Sequence, residues 1–156
     1  MASTVTASTM TVTISESITL NGKNQGGTQT LSIPLIATVS RRIVNVPTSE
    51  VEIAAMDSNV ASGTFVQGDV RYIRITNLDD ANNVFLTFKN SANDEFAVLL
   101  DYGQSFIYNS NFDGGVVNTF DANAGAASKD NLGTLSNITA QADTGAVDLE
   151  LFVASV

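Results

Sequence analysis

VRYIRITNLDDANNVFLTFKNSANDEFAVLLDYGQSFIY, residues 70–108, alternates apolar and polar side chains in short runs parted by Asn- and Asp-rich segments. Val70, Tyr72 and Ile75, then Val84, Leu86 and Phe88, then Phe96, Val98 and Leu100 recur at every second position, with Ile73 out of step. A two-residue period is that of half-buried strands, whose successive side chains point to opposite faces. The reading is an antiparallel β-meander at the centre of the chain.

The flanks carry the same period. Met10, Val12 and Ile14 share one face and Thr11, Thr13 and Ser15 the other, and Ile18 and Leu20 resume the apolar face, so residues 4–20 read as a long strand or a strand pair. Asn21-Gly22 and Gly26-Gly27 supply turn chemistry, because Gly and Asn tolerate positive φ. Residues 28–36, TQTLSIPLI, continue as a strand that Pro34 breaks or confines to an edge. Residues 37–46 alternate again until Pro47, and EVEIAAM at 50–56 reads as a strand in preference to a capped helical turn. Thr64-Phe65-Val66 forms a short segment between Gly63 and Gly68. At the other end, residues 109–133 are rich in Asn, Asp, Gly, Ala and Ser, and a stretch this long without period reads as a contact loop. Residues 135–153 read as a closing hairpin turned at Asp143-Thr144-Gly145. Many short strands with Gly, Asn and Asp turns, no helical period and no internal repeat predict a single all-β domain, an antiparallel β-sandwich of jelly-roll type.

Composition removes whole classes of chemistry. The 156 residues contain neither Cys nor His, so cystine scaffolds, thiolate chemistry and imidazole bases or metal ligands are out of reach. Seven Lys and Arg against sixteen Asp and Glu give a formal charge of −9, which repels nucleic acid and anionic bilayers. No segment has the length and apolarity of a membrane span, and Met1-Ala2-Ser3-Thr4 lacks the basic and apolar regions of a secretory signal, so synthesis in a cytoplasm is expected. Neither a nucleic-acid nor a membrane partner is expected.

Candidate chemistry is thin. The Asn/Asp clusters at 77–83 and 90–95 offer hard oxygen ligands for Ca²⁺, but without EF-hand spacing, and Asn and Asp are also what hairpin turns require. Asp101, Asp143, Asp148 and Glu150 are available as carboxylates for glycoside hydrolysis, yet acids on strand faces beside turns are ordinarily solvated. Ser105 has no His to activate it and no G-x-S-x-G elbow is present. Tyr72, Tyr102 and Tyr108 are the candidates for a sugar-stacking groove in a chain without Trp, though buried packing explains them more simply. Asn137-Ile138-Thr139 is a chance match to a glycosylation sequon if the chain is never secreted. No catalytic residue, metal ligand or cofactor is expected.

Several stretches carry a family resemblance. VPTSEVEIAAM at Val46 to Met56, GDVRYIRITNLDDANNVFLTFKN at Gly68 to Asn90, DEFAVLLDYGQSFIY at Asp94 to Tyr108 and ITAQADTGAVDLELFVAS at Ile138 to Ser155 resemble small virion structural proteins of tailed bacteriophages, of the marine and cyanobacterial type. The shared motifs encode strands and turns and bring no catalytic residues with them. The resemblance implies a β-sandwich virion component, foremost a capsid decoration or cement protein bound to the major capsid protein or other virion proteins as a homo-oligomer, a trimer being expected. A tail or fibre component and a carbohydrate- or host-surface-binding module are the alternatives. The expected contact residues are Thr4, Val5 and Thr6 in an N-terminal arm (residues 1–20), the basic pair Arg41-Arg42, and Phe112, Val116, Val117 and Phe120 in the loop at 109–133.

Overall fold

The computed structural model describes residues 4–59, 61, 63–90, 95–109, 118–119 and 133–156. Its strands are β1 (Ser8–Ser15), β2 (Thr19–Leu20), β3 (Lys23–Asn24), β4 (Thr28–Ile36), β5 (Thr38–Val46), β6 (Val51–Asp57), β7 (Thr64–Val66), β8 (Val70–Asn77), β9 (Val84–Asn90), β10 (Glu95–Leu100), β11 (Ser105–Asn109), β12 (Asn118–Thr119), β13 (Gly133–Ala142) and β14 (Val147–Ser155). One sheet has the order β11-β8-β14-β5, the other β10-β9-β13-β6-β7, and β12 pairs with β13 off that path. All ladders are antiparallel except β6 with β7.

Strand order gives the topology. The pairs β5/β14, β6/β13, β8/β11 and β9/β10 nest inside one another along the chain, and the fold wraps this nested ribbon into two facing sheets. That is a jelly roll, as the sequence reading anticipated. Two details of that reading are corrected. Residues 70–108 do not form a meander, because β8 and β11 lie in one sheet while β9 and β10 lie in the other. Nor do β13 and β14 form a hairpin: the turn at 143–145 carries the chain from one sheet to the other. Alternation identifies the strands but is blind to which sheet a strand enters, since both sheets present the same period to the same core.

The core lies between the two inner faces, with Ile73, Ile75, Leu149, Leu151 and Val153 from one sheet against Leu86, Phe88, Ile138 and Ala140 from the other. Its phase explains why Ile73 is out of step. Between Tyr72 and Val70 the β8–β14 register shifts by a residue at Arg71, so Tyr72 faces outward while Val70, Ile73 and Ile75 face inward. The bulged Arg71 bonds back to the Gly68 carbonyl at 2.6 Å.

Preceding the jelly roll is a separate element: residues 4–20, expected as one long strand or a strand pair, hold β1 and β2, which pair with β4 and β3 and not with each other. β1 and β4 form a two-stranded ribbon that is continued by β2 and β3. The tip is Asn21-Gly22, both at positive φ (50° and 75°) between the paired Leu20 and Lys23, which is the two-residue turn that matches strand twist. Midway, the strands separate around Glu16 to Ile18 and Gln25 to Gly27, held by Glu16 N to the Gly27 carbonyl and Gln25 N to the Ile18 carbonyl. A Cβ on Gly26 would lie 2.1 Å from the Glu16 carbonyl oxygen, so only glycine admits this approach. Gly26→Ala is therefore expected to lower amide-exchange protection in the ribbon by roughly tenfold or more while leaving the unfolding transition of the sandwich in place. Exchange mapped by mass spectrometry checks both parts.

At its base the ribbon packs on the outer face of the β8–β14 pair. Ile33 and Ile36 are buried against Tyr72 and Ala154, with Met10, Val12, Leu31 and Phe152 around them. Pro34 does not end β4. It precedes Leu35, which sits at φ +63° where β4 has one residue more than β1, so the strand bulges and continues.

Candidate functional site

No cleft gathers the candidate acids. Glu150 lies on the outward face of β14 and is the exception to the expectation that such acids are solvated: its side chain is 7% exposed, held by Arg41 Nε at 2.7 Å on one oxygen and Arg74 Nη2 at 2.6 Å on the other. Arg74 also bonds Thr76 Oγ1 at 3.0 Å and lies over the Phe152 ring. Thr76 in turn meets the Ser105 hydroxyl at 2.8 Å, so Ser105 belongs to a surface network. Asp148 accepts from Asn45 Nδ2, and Asp143 accepts from the Asn83 amide in a neighbouring turn. These carboxylates serve the fold.

Asn77 and Asp79 account for the first Asn/Asp cluster. Asp79 Oδ1 accepts from the Ala81 and Asn82 amides at 2.8 and 2.6 Å, and Asn77 Oδ1 from the Asp79 amide at 3.1 Å. Side chains spent on backbone donors make this an Asx-type turn. Among the described residues no three His, Cys, Asp or Glu side chains converge as metal ligands. The second cluster falls largely on residues 91–94, outside the described residues.

The three tyrosines occupy three separate places. Tyr72 is buried under the ribbon with its ring edge-on to Phe152, Tyr108 packs against the core, and Tyr102 stands exposed in the turn after β10. No sugar groove joins them. The sequon Asn137 is engaged through Nδ2 with Glu52, and Thr139 donates to Glu50 at 2.6 Å. No helix among the described residues is long and apolar enough to cross a membrane.

Arg41 and Arg42 part company, as neighbours on a strand must. Arg41 points outward to Glu150. Arg42 points inward, where it donates to the Ile53 carbonyl on β6 and lies 5.9 Å from the centre of the Phe65 ring, tying the two sheets together at their open side. Both guanidinium groups are thus engaged within the chain. Thr4, Val5 and Thr6 precede β1 and are exposed. Phe112, Val116, Val117 and Phe120 lie outside the described residues, as does most of the loop at 109–133.

What remains is the ribbon. Beyond its base both faces are exposed, including Ile14, Ile18 and Leu20, and Leu35 stands out at the bulge. A two-stranded ribbon alone is marginal in water, so its apolar side chains call for cover. Its charge is also distinct: Glu16 and Lys23 are the only charged residues among the first 40, leaving the whole formal charge of −9 to the remainder. The ribbon is a neutral arm on an acidic body.

Among the described residues, Glu150, Glu50 and Asp79 feel the fold. Glu150 is held below the usual glutamate value of 4.5 chiefly by Arg41 and also by Arg74, against its burial. Lys89, and then the Thr139 hydroxyl, lower Glu50, while the amides of Asn82 and Ala81 lower Asp79 below 3.8. Depressed folded-state values mean that the unfolded chain takes up protons first, so this stability is present at neutral pH and is lost as pH falls through and below those values. The unfolding midpoint is expected to be flat from pH 7 to about 5 and to fall below about 4.5, as followed by thermal circular dichroism.

Comparison with protein-family models, with curated proteins and with solved structures returned no match.

Proposed function

We propose that this chain is a virion structural protein of a tailed bacteriophage, a decoration protein that seats on the head shell as a homo-oligomer, with a trimer as the expected form. The observation that carries the reading is the neutral N-terminal ribbon, pinned to the sandwich only at its base and exposed along both faces beyond it. A protein that joins a shell after folding needs a soluble body and a separate contact element. Net charge keeps such a body from self-aggregating, and an uncharged arm escapes that repulsion. The side-chain networks support the same reading from the other direction, because Glu150, Asp143, Asp148 and Asp79 hold neighbouring groups of the fold and Tyr72 and Tyr108 pack within it.

Co-sedimentation tests the proposal. Purified protein mixed with undecorated heads of the encoding phage should pellet with them and saturate at a fixed number per major capsid subunit. Protein that stays in the supernatant contradicts the reading, and protein that pellets with isolated tails instead moves the assignment to a tail or fibre component.

A further inference from the structure

We infer that the outer edge of β5 is the receiving site for the β1 edge of a second copy's ribbon, so that each copy gives a ribbon to one neighbour and receives one from another. The inference rests on the oligomeric part of the proposed function and names the surface that would build it.

The receiving side is unusual for a natural sheet. β5 ends its sheet, and among the described residues no strand pairs with its outer edge. It is nine residues long, and its register with β14 runs from Thr38 to Val46 without a bulge. Free edges are normally kept short, bulged, or guarded by Pro or an outward charge, since unpaired N–H and C=O groups template further strands. β11 and β10, at other edges, have five and six residues, and β7 has three. Of the two charges on β5, Arg42 is turned inward to Ile53, and Arg41, although two-thirds exposed, is engaged with Glu150 on the sheet face. Val39 and Ile43 stand on its outer face at 56% and 64% exposure. Beside the strand runs an open groove of about 460 Å³, where Val39, Phe65, Val66, Val153 and Val156 offer apolar contact to an added strand among polar lining residues that include Asp69.

The donor follows from charge and covalent geometry. Sandwich against sandwich brings together two bodies that each carry the chain's net negative charge. β1, with the sequence STMTVTIS, has no charge and no Pro, and its eight residues match the length of β5. β4 is the poorer edge, since Pro34 lacks an N–H and the strand bulges at Leu35. A chain's own ribbon is pinned over Tyr72 and Ala154, with only Ala37 between β4 and β5, so it is held on the face of its sheet and away from that edge. Ribbon to edge is a head-to-tail contact, which closes into a ring when the rotation allows, three copies being the expected ring.

Light scattering after size exclusion tests this with wild type, Ile43→Lys and Thr13→Lys, both substitutions falling on exposed positions. Wild type should run as a closed oligomer, and each variant should weaken association on the order of tenfold or more, because a charge is desolvated at the new strand pair. A monomeric wild type overturns the oligomeric reading and this inference together. An oligomer that survives either variant overturns the inference alone. Cross-linking guards against misfolded variants: the chain has no Cys, so Thr13→Cys and Ile43→Cys chains, mixed with different tags and treated with a bis-maleimide, should link to each other. Links confined to like chains overturn the inference.

Discussion

Leu151→Ala is expected to lower the unfolding free energy by roughly 2–5 kcal/mol, the largest effect of any single truncation discussed for this fold. Leu151 is 1% exposed at the middle of β14, between Ile75 of β8 and Arg42 of β5 in the register. Its side chain packs in the core between the two sheets, whose long ladders limit how far they can collapse into the space left behind. The loss is then the transfer energy of the removed carbons plus that of the cavity. Urea denaturation should show a lower midpoint with an unchanged slope. Ile43→Ala on the same sheet, outward and largely exposed, should change stability by less than about 0.5 kcal/mol when measured below the association threshold.

Asn77→Ala is expected to cost roughly 2–3 kcal/mol by a different route. Asn77 has no exposed surface, and its side chain donates to the Asn82 carbonyl at 2.9 Å and accepts from the Asp79 amide at 3.1 Å. Its backbone binds the neighbouring turn as well, with its amide on the Gln104 carbonyl and its carbonyl on the Gly103 amide. Truncation removes a knot that holds two loops at one end of the sandwich and leaves buried partners without bonds. Asn77→Asp should be nearly as damaging, because a carboxylate cannot donate to the Asn82 carbonyl. Denaturant titration gives the size of both effects, and exchange at residues 78–83 shows whether the turn opens first.

Much of this architecture was legible from residue period alone. β4, β5, β6, β13 and β14 fall on the stretches that alternation marks, and Asn21-Gly22 announces its own turn. The meander at 70–108 and the closing hairpin were misread for one physical reason. Adjacent strands that each bury one face look alike whether they pair side by side or cross the core to the opposite sheet, and only long-range register distinguishes the two. The same blindness hid the Arg41–Glu150–Arg74 cluster, whose members lie on three strands far apart in sequence. A signal was present: Glu150 interrupts a closing strand that is otherwise almost wholly apolar from Leu149 to Ala154, and a lone acid there implies a cation opposite. The basic pair Arg41-Arg42, read as a joint contact candidate, is divided by strand geometry into an outward ion pair and an inward tie between sheets.

The most direct test of the central claim is a density map of the mature virion. Jelly-roll density is expected on the outer surface of the head, in rings of three, with each N-terminal ribbon running out of its own sandwich onto the β5 edge of the next copy. Heads bare of such density, with the chain found in the tail or missing from the particle, would contradict it.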